Sequence, residues 1–244
     1  KRFKLYFSFK HTILYESRNE AIKKASGELI AFLDTDDYWL PHKLEKQVKL
    51  FENDNVNLVY GNFWILNENS YFKKRIFTSK KLPIGNILKS ILSEYTVGLL
   101  TIMIRKKSLK NLEKVFNTKY DLLADYDFVI RFSVSNYFEC IQEPVACYRI
   151  HKHNISILER EKQIFQLKMW YQSIKSDSFF SSQKGLSDVY ERIKYMEVLH
   201  IILEKDFFSG FYEALKFPLG LKKIKLFLAL FLPKNIFLNL TKFI

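Results

Sequence analysis

Gly27-Glu28-Leu29-Ile30-Ala31-Phe32-Leu33-Asp34-Thr35-Asp36-Asp37-Tyr38-Trp39-Leu40-Pro41 runs from an apolar segment straight into a cluster of carboxylates. Ile30, Ala31, Phe32 and Leu33 read as a short strand, apolar on both faces like strands in the middle of a parallel sheet. Asp34, Asp36 and Asp37 then fall just past its carboxyl end, where the loops of open α/β sheets form a ligand crevice. Carboxylates held this close repel, at about 2 to 4 kcal/mol per close pair for an effective dielectric near 20. A divalent cation would relieve that repulsion, and oxygen-only ligands favour Mg²⁺ or Mn²⁺ over zinc. Two other readings apply to the same residues. Asp37 could close a turn and cap the helix that follows Pro41. A calcium loop starting at Asp34 fails, because Tyr38 and Trp39 occupy the places that need an oxygen ligand and a glycine.

The flanks supply the order of elements. Ser17 to Ser26 reads as a helix with Gly27 as its stop. Pro41 opens a second helix with Leu40, Leu44, Val48 and Phe51 as its apolar stripe, and Asn57 to Tyr60 reads as the next strand. The whole stretch from Ser17 to Val48, SRNEAIKKASGELIAFLDTDDYWLPHKLEKQV, closely resembles the family 2 glycosyltransferases, with their ARN-type helix, GEYIAFLDSDD-type strand and loop, and WLP and KLEKQ segments. The resemblance implies an α/β, Rossmann-like nucleotide-diphospho-sugar transferase fold of the glycosyltransferase A type. It further implies a DxD motif at Asp34 to Asp36, with Asp34, Asp36, Asp37, Arg18 and Asn19 binding the donor and Asp36 on the metal.

Two later segments extend the likeness. Tyr120 to Phe132, YDLLADYDFVIRF, resembles the family segment in which a Glu-Asp pair precedes an apolar helix. Ala124 stands where the family has Glu, and Asp125 matches its general base. Asp125 and Asp127 could instead cap the helix bearing Phe128, Val129 and Phe132. Glu143 to His151, EPVACYRIH, is similar to the family's EPL-x-x-YRIH strand, which makes His151 the candidate to complete the metal or diphosphate site. A histidine at a strand end can equally be a hydrogen-bonded surface residue, and His151 with His153 does not define a zinc site.

The chemistry so implied is metal-dependent, inverting transfer of a sugar from a nucleotide diphosphate, a UDP-sugar as expected donor, to a hydroxyl of a cell-surface glycan or lipid-linked acceptor. Asp125 would accept the acceptor proton, and Mn²⁺ or Mg²⁺ at Asp36 would stabilise the departing diphosphate. The alternative is a non-catalytic remnant that keeps the fold without a full donor site. Members of the family begin with a VSVIIPTYN-like strand and a βαβ unit, about 65 residues in all, that would precede the Lys1 to Phe7 strand, so an N-terminally truncated catalytic region is expected.

Composition agrees with a globular enzyme. The 244 residues are 48% hydrophobic and can bury a sizeable core. Cys140 and Cys147 form neither a CxxC motif nor a disulfide framework, which suits a reducing cytoplasm. The net charge of +13 is spread without any nucleic-acid-binding signature, so no nucleic-acid partner is expected and an anionic membrane surface fits better. Residues 1–155 are read as the partial catalytic domain, with Leu99 to Arg105 as a further strand and Lys107 to Val115 as a helix. Trp64, Tyr71, Phe72, Lys73, Lys74 and Arg75 could line an acceptor groove or form an ordinary β-rich insert. Residues 156–244 form a helical region, first with Ile164, Leu167, Trp170, Tyr171 and Ile174 at core-like spacing, then from about Ser187 to Lys205.

The tail places Lys216, Lys222, Lys223 and Lys225 before Leu226 to Leu232, then Pro233, Lys234 and Ile236 to Leu238. The run is too short to span a bilayer and reads as an interfacial helix, or else as a buried terminal helix or dimer contact. The expected location is cytoplasmic, peripheral at the inner face of the cell membrane.

Overall fold

The computed structural model describes residues 3–7, 12–67, 73–110, 112–204, 206–234 and 236–237. Of the sequence expectations, those on Lys1, Arg2, Tyr71, Phe72, Lys205 and Leu238 lie outside the described residues. Phe3 to Phe7 form no strand, contrary to the expectation for the start of the chain; with no partner strand among the described residues, Phe3 and Phe7 stand exposed.

The first helix, α1 (Leu14–Lys24), buries Tyr15, Asn19 and Ile22, one face at helical spacing. It ends at Ala25, whose extended backbone breaks the helix two residues before Gly27. Strand β1 (Leu29–Ala31) follows, then the acidic loop, β2 (Tyr38–Trp39) and α2 (Lys43–Leu50). The long strand β3 (Val56–Asn67) turns back into β4 (Lys74–Ile76); α3 (Leu88–Ser93), β5 (Met103–Arg105), α4 (Ala124–Phe132) and β6 (Tyr137–Ile150) complete the sheet region. The strands stand in the order β1-β5-β3-β6-β2, with β4 beside β3. Among the described residues only β3 and β6 pair in parallel; β5 is antiparallel to both β1 and β3, and β2 to β6.

That order corrects the reading of β1. Among the described residues it closes one end of a mixed sheet, so only Ile30 is buried and Leu33 is 46% exposed. The stripe assigned to α2 is also corrected. Leu44 and Val48 point outward, while Lys43 and Gln47 have no exposed surface. Gln47 Nε2 donates to the carbonyls of Thr101 (2.7 Å) and Val59 (3.3 Å), and Lys43 Nζ lies 4.4 Å from the centre of the Trp39 ring. Buried carbonyls must be satisfied, and here that need outweighs side-chain hydrophobicity in orienting the helix. The segment from Leu99 is a 3₁₀ turn over Leu99–Thr101 before β5, and in place of the Lys107 to Val115 helix there is a 3₁₀ turn over Lys106–Leu109. Beyond it, Val115 and Phe116 enter the core against α1.

After β6 come α5 (Ile155–Leu158), α6 (Arg160–Lys175), α7 (Ser178–Ser181), α8 (Leu186–Glu204), α9 (Phe207–Lys216) and α10 (Leu221–Phe231). The main core joins Leu58, Tyr60 and Phe138 of the sheet to α1, α3 and α4, and also to Leu167, Trp170 and Ile174 of α6 and Val189 and Ile193 of α8. Leu226 and Ala229 of α10 pack in a separate cluster with Val198, Leu199 and Ala214. The other face of the sheet carries smaller clusters around Phe51 and Val59 and around Phe63 and Ile65.

Candidate active site

The chain leaving β1 turns at Asp34, whose carbonyl accepts the Asp37 amide at 3.2 Å, and this tight turn gathers the acidic side chains. Asp34, Asp36 and Asp37 bring one carboxylate oxygen each to within 4.8 Å of one another. Three neighbours hold them. Asp34 is ion-paired with Arg18 on α1. The Asp36 carboxylate receives His151 Nε2 at 2.9 Å, from the end of β6. Asp37 accepts the backbone N–H of Arg149 at 2.9 Å, and the Arg149 guanidinium donates to the Asp36 carbonyl.

Asp37 is the buried member, with its carboxyl pushed up to about 6. Burial is the main cause; the Arg149 N–H opposes it, and the Asp36 and Asp34 charges add to it. Such a group of oxygen donors, held close enough to disfavour full ionisation, fits Mg²⁺ or Mn²⁺ by donor chemistry. His151 has both ring nitrogens engaged, because the His153 N–H donates to Nδ1 at 3.2 Å. Nδ1 is thus an acceptor, Nε2 carries the proton, and the ring donates to Asp36. Asn154 fixes this corner by accepting the His151 N–H and donating to the Arg149 carbonyl at 3.2 Å.

Asp125 sits in the first turn of α4 with its carboxyl raised, chiefly by burial. The Tyr15 hydroxyl (2.9 Å), the Tyr126 N–H and the Arg18 charge oppose that rise. Arg18 lies 4.9 Å from the centre of the Tyr15 ring, so one turn of α1 reaches both the acidic loop and Asp125. Asp127 takes a separate part, accepting from Arg131 and from the Trp170 indole at 3.1 Å. Asn19 uses its whole amide on the backbone of Phe116, donating to the carbonyl (2.8 Å) and accepting the N–H (2.9 Å).

Tyr15, Arg149 and Asn154 were not singled out from the sequence. Tyr15 carried a usable signal, lying three residues before Arg18 on the same helix face. A cleft of about 920 Å³ between α1 and the 105–118 segment contains none of the acidic-loop residues and not Asp125.

Comparison with known proteins bears on the family and the fold. Residues 1–112 match the family described as Glycosyl transferase family 2, so the resemblance read from the sequence is shown over that segment. An uncharacterized glycosyltransferase of Methanocaldococcus jannaschii is 34% identical over 149 residues, covering 60% of this chain and 50% of that protein. The Escherichia coli UDP-Glc:alpha-D-GlcNAc-diphosphoundecaprenol beta-1,3-glucosyltransferase WfgD is 32% identical over 142 residues, covering 57% and 53%. The chain therefore spans about half the length of the curated relatives it matches. A mannosyltransferase from Pyrobaculum calidifontis, solved with GDP-Man and Mn²⁺, aligns with 97% of this chain and 69% of its own at a TM-score of 0.53 and 14% identity. At that identity the likeness concerns the fold, which is the glycosyltransferase A-type α/β fold.

Proposed function

We propose that the protein transfers a sugar, with inversion, from a nucleotide-diphosphate donor to an acceptor hydroxyl. The observation that carries this reading is the link from Asp34 through Arg18 and Tyr15 to Asp125, which sets an acidic donor loop and a buried carboxylate on one helix. Asp34, Asp36 and Asp37 would hold Mn²⁺ or Mg²⁺. Bound there, the cation supplies charge neutralisation for the departing diphosphate. Arg18 steers Asp34, and His151 orients Asp36 from behind rather than ligating through a free nitrogen. Asn19 keeps α1 in register through Phe116, so its contribution to the donor site is positional. Asp125 takes the proton as the acceptor oxygen attacks an anomeric carbon with oxocarbenium character. Its raised carboxyl makes it a stronger base than an exposed aspartate.

The donor we assign is a UDP-sugar, as in the name of the Escherichia coli relative, and the acceptor a glycan or lipid-linked hydroxyl. Ala124 is fully buried, where a glutamate in its place would be desolvated, so Asp125 acts without a carboxylate beside it. We keep the division at residue 155 as one of secondary structure, mixed strands and helices before and helices alone among the described residues after.

Membrane residence belongs to the same proposal. No helix among the described residues is long and apolar enough to cross a membrane. However, Phe208, Leu219, Leu221 and Phe231 are 68% to 93% exposed on α9, α10 and their connection, beside Lys222, Lys223 and Lys225. Apolar side chains flanked by lysines favour an anionic bilayer surface, at the inner face of the cell membrane in this reading.

The decisive assay is hydrolysis of UDP-sugars with and without Mn²⁺. Metal-dependent release of UDP that disappears in Asp36→Asn supports the transferase. A flat, metal-independent background would favour the non-catalytic remnant.

A further inference from the structure

Strands β3 and β6 continue beyond the main core and present a face of which the acidic loop uses Arg149 alone among the residues named below. Partners in a sheet share a face, so the register can be read across it. Cys147 is opposite Tyr38 on one side and Trp64 on the other, and Trp64 is opposite Ile76, which makes one row. Leu66 is opposite Arg149 and Lys74, which makes the next.

The pairing shifts register between Gly61 and Phe63, so the side is read from the clusters as well as from alternation. Leu58 and Tyr60 lie in the main core with α4, whereas Phe63 and Ile65 belong to the cluster on the opposite face. Trp64 and Leu66 therefore continue the face on which Asp125 is mounted. Tyr38 is 42% exposed, Lys74 Nζ lies 4.4 Å from the centre of the half-buried Trp64 ring, and Arg149 is exposed while reaching back to the acidic loop.

Two aromatic rings with two cations beside them suit one class of ligand. The C–H face of a pyranose packs on aromatic surface, and guanidinium and ammonium groups pair with phosphate oxygens. We propose that Tyr38, Trp64, Lys74 and Arg149 form an acceptor subsite that seats a pyranose carrying an anomeric phosphate or diphosphate. This rests on the sugar-transfer reading and narrows it, since the acceptor then arrives as a glycosyl phosphate with its free hydroxyls toward Asp125. The anion is held by Lys74 and by Arg149, which also reaches the acidic loop.

The test is a fluorescence titration of the chain with glucose 1-phosphate and with neutral methyl α-glucoside. Of the three tryptophans, Trp170 is 1% exposed and Trp39 is held by Leu100 and Lys43, so a ligand-induced change should come from Trp64. Saturable quenching by glucose 1-phosphate is expected, about tenfold weaker in Lys74→Ala and about tenfold weaker for the neutral glucoside. Trp64→Leu should lose the signal, and Lys175→Ala on α6 should bind like wild type.

Equal binding of the charged and neutral sugars, equal binding by wild type and Lys74→Ala, or no binding at all would overturn the proposal. Displacement of glucose 1-phosphate by UDP would also overturn it, by assigning the platform to the donor. A sugar diphosphate on a polyprenol in micelles, competing more strongly than glucose 1-phosphate, would identify the lipid-linked form; weaker competition would identify a soluble one. Metal-dependent hydrolysis of UDP-sugar by wild type separates the two readings. Binding without hydrolysis sinks the transferase alone, and hydrolysis without binding sinks the subsite alone.

Discussion

The Tyr15 hydroxyl donates a 2.9 Å hydrogen bond to Asp125, a residue 110 positions further along the chain. Because Tyr15 shares a helix face with Arg18, and Arg18 pairs with Asp34, the proposed base and the acidic loop are positioned by the same turn. The bond stabilises the ionised carboxylate against burial. Tyr15→Phe should push the Asp125 carboxyl higher, moving the acid limb of the kcat profile to higher pH while leaving donor affinity near wild type. A pH-rate profile checks this; an unmoved limb would remove Tyr15 from the mechanism.

Asp125 offers a trade between stability and activity. Burial raises its carboxyl in the folded chain, so the native state holds the proton more tightly than the unfolded state does. The folded protein is therefore penalised once pH rises past that raised value, and the penalty vanishes below the ordinary carboxylate range. Asp125→Asn keeps an acceptor for Tyr15 and should melt higher than wild type at pH 7.5, with little difference at pH 3.5. Turnover should fall by about 10² to 10⁴, the usual share of general-base catalysis. Thermal melts at both pH values, with transfer assays, test both halves.

His151 acts on the acidic loop through Asp36. Removing an outer partner of a metal-binding carboxylate typically costs about 10- to 100-fold in metal affinity. His151→Ala should weaken Mn²⁺ binding by that amount, and His151→Gln, which retains a donor, should recover part of it. Isothermal titration with Mn²⁺ measures both; an unchanged affinity in His151→Ala would show the Asp36 contact to be ornamental.

Asn19 tests how much of the site could be read in the sequence. The acidic loop stood out by residue type and spacing, whereas Asp125 and His151 were picked out by the family segments that they resemble. Asn19 was legible as part of the ARN-type helix, yet its amide is spent on Phe116, a contact across 97 residues that no local pattern encodes. The orientation of α2 was hidden for a similar reason. Its buried face is chosen by the carbonyls of Val59 and Thr101, which only the folded sheet brings beneath Gln47. Asn19→Ala would strand a buried N–H and C=O and should cost about 2 kcal/mol or more. Denaturant melts check this, and a donor affinity that falls no further than stability does would confirm a positional part.

Lys43 gives the sharpest stability prediction. It has no exposed surface, its ammonium lies over Trp39 and donates to Gln47 Oε1 at 2.5 Å, and burial lowers it from the ordinary 10.5 to about 7. Between those two values the unfolded chain binds more protons than the folded one, so stability rises with pH across that window. At 1.36 kcal/mol per unit, the charged form burdens the fold by about 4 to 5 kcal/mol below pH 7, a burden that fades as pH approaches 10.5. Lys43→Met keeps the stem over Trp39 and removes the charge. It should stabilise the protein at pH 6 by a part of that amount, since Gln47 loses a donor, and the gain should shrink steadily toward pH 10. Chemical denaturation at pH 6, 8 and 10 measures the trend, and a gain independent of pH would mean that folding leaves Lys43 at its ordinary 10.5.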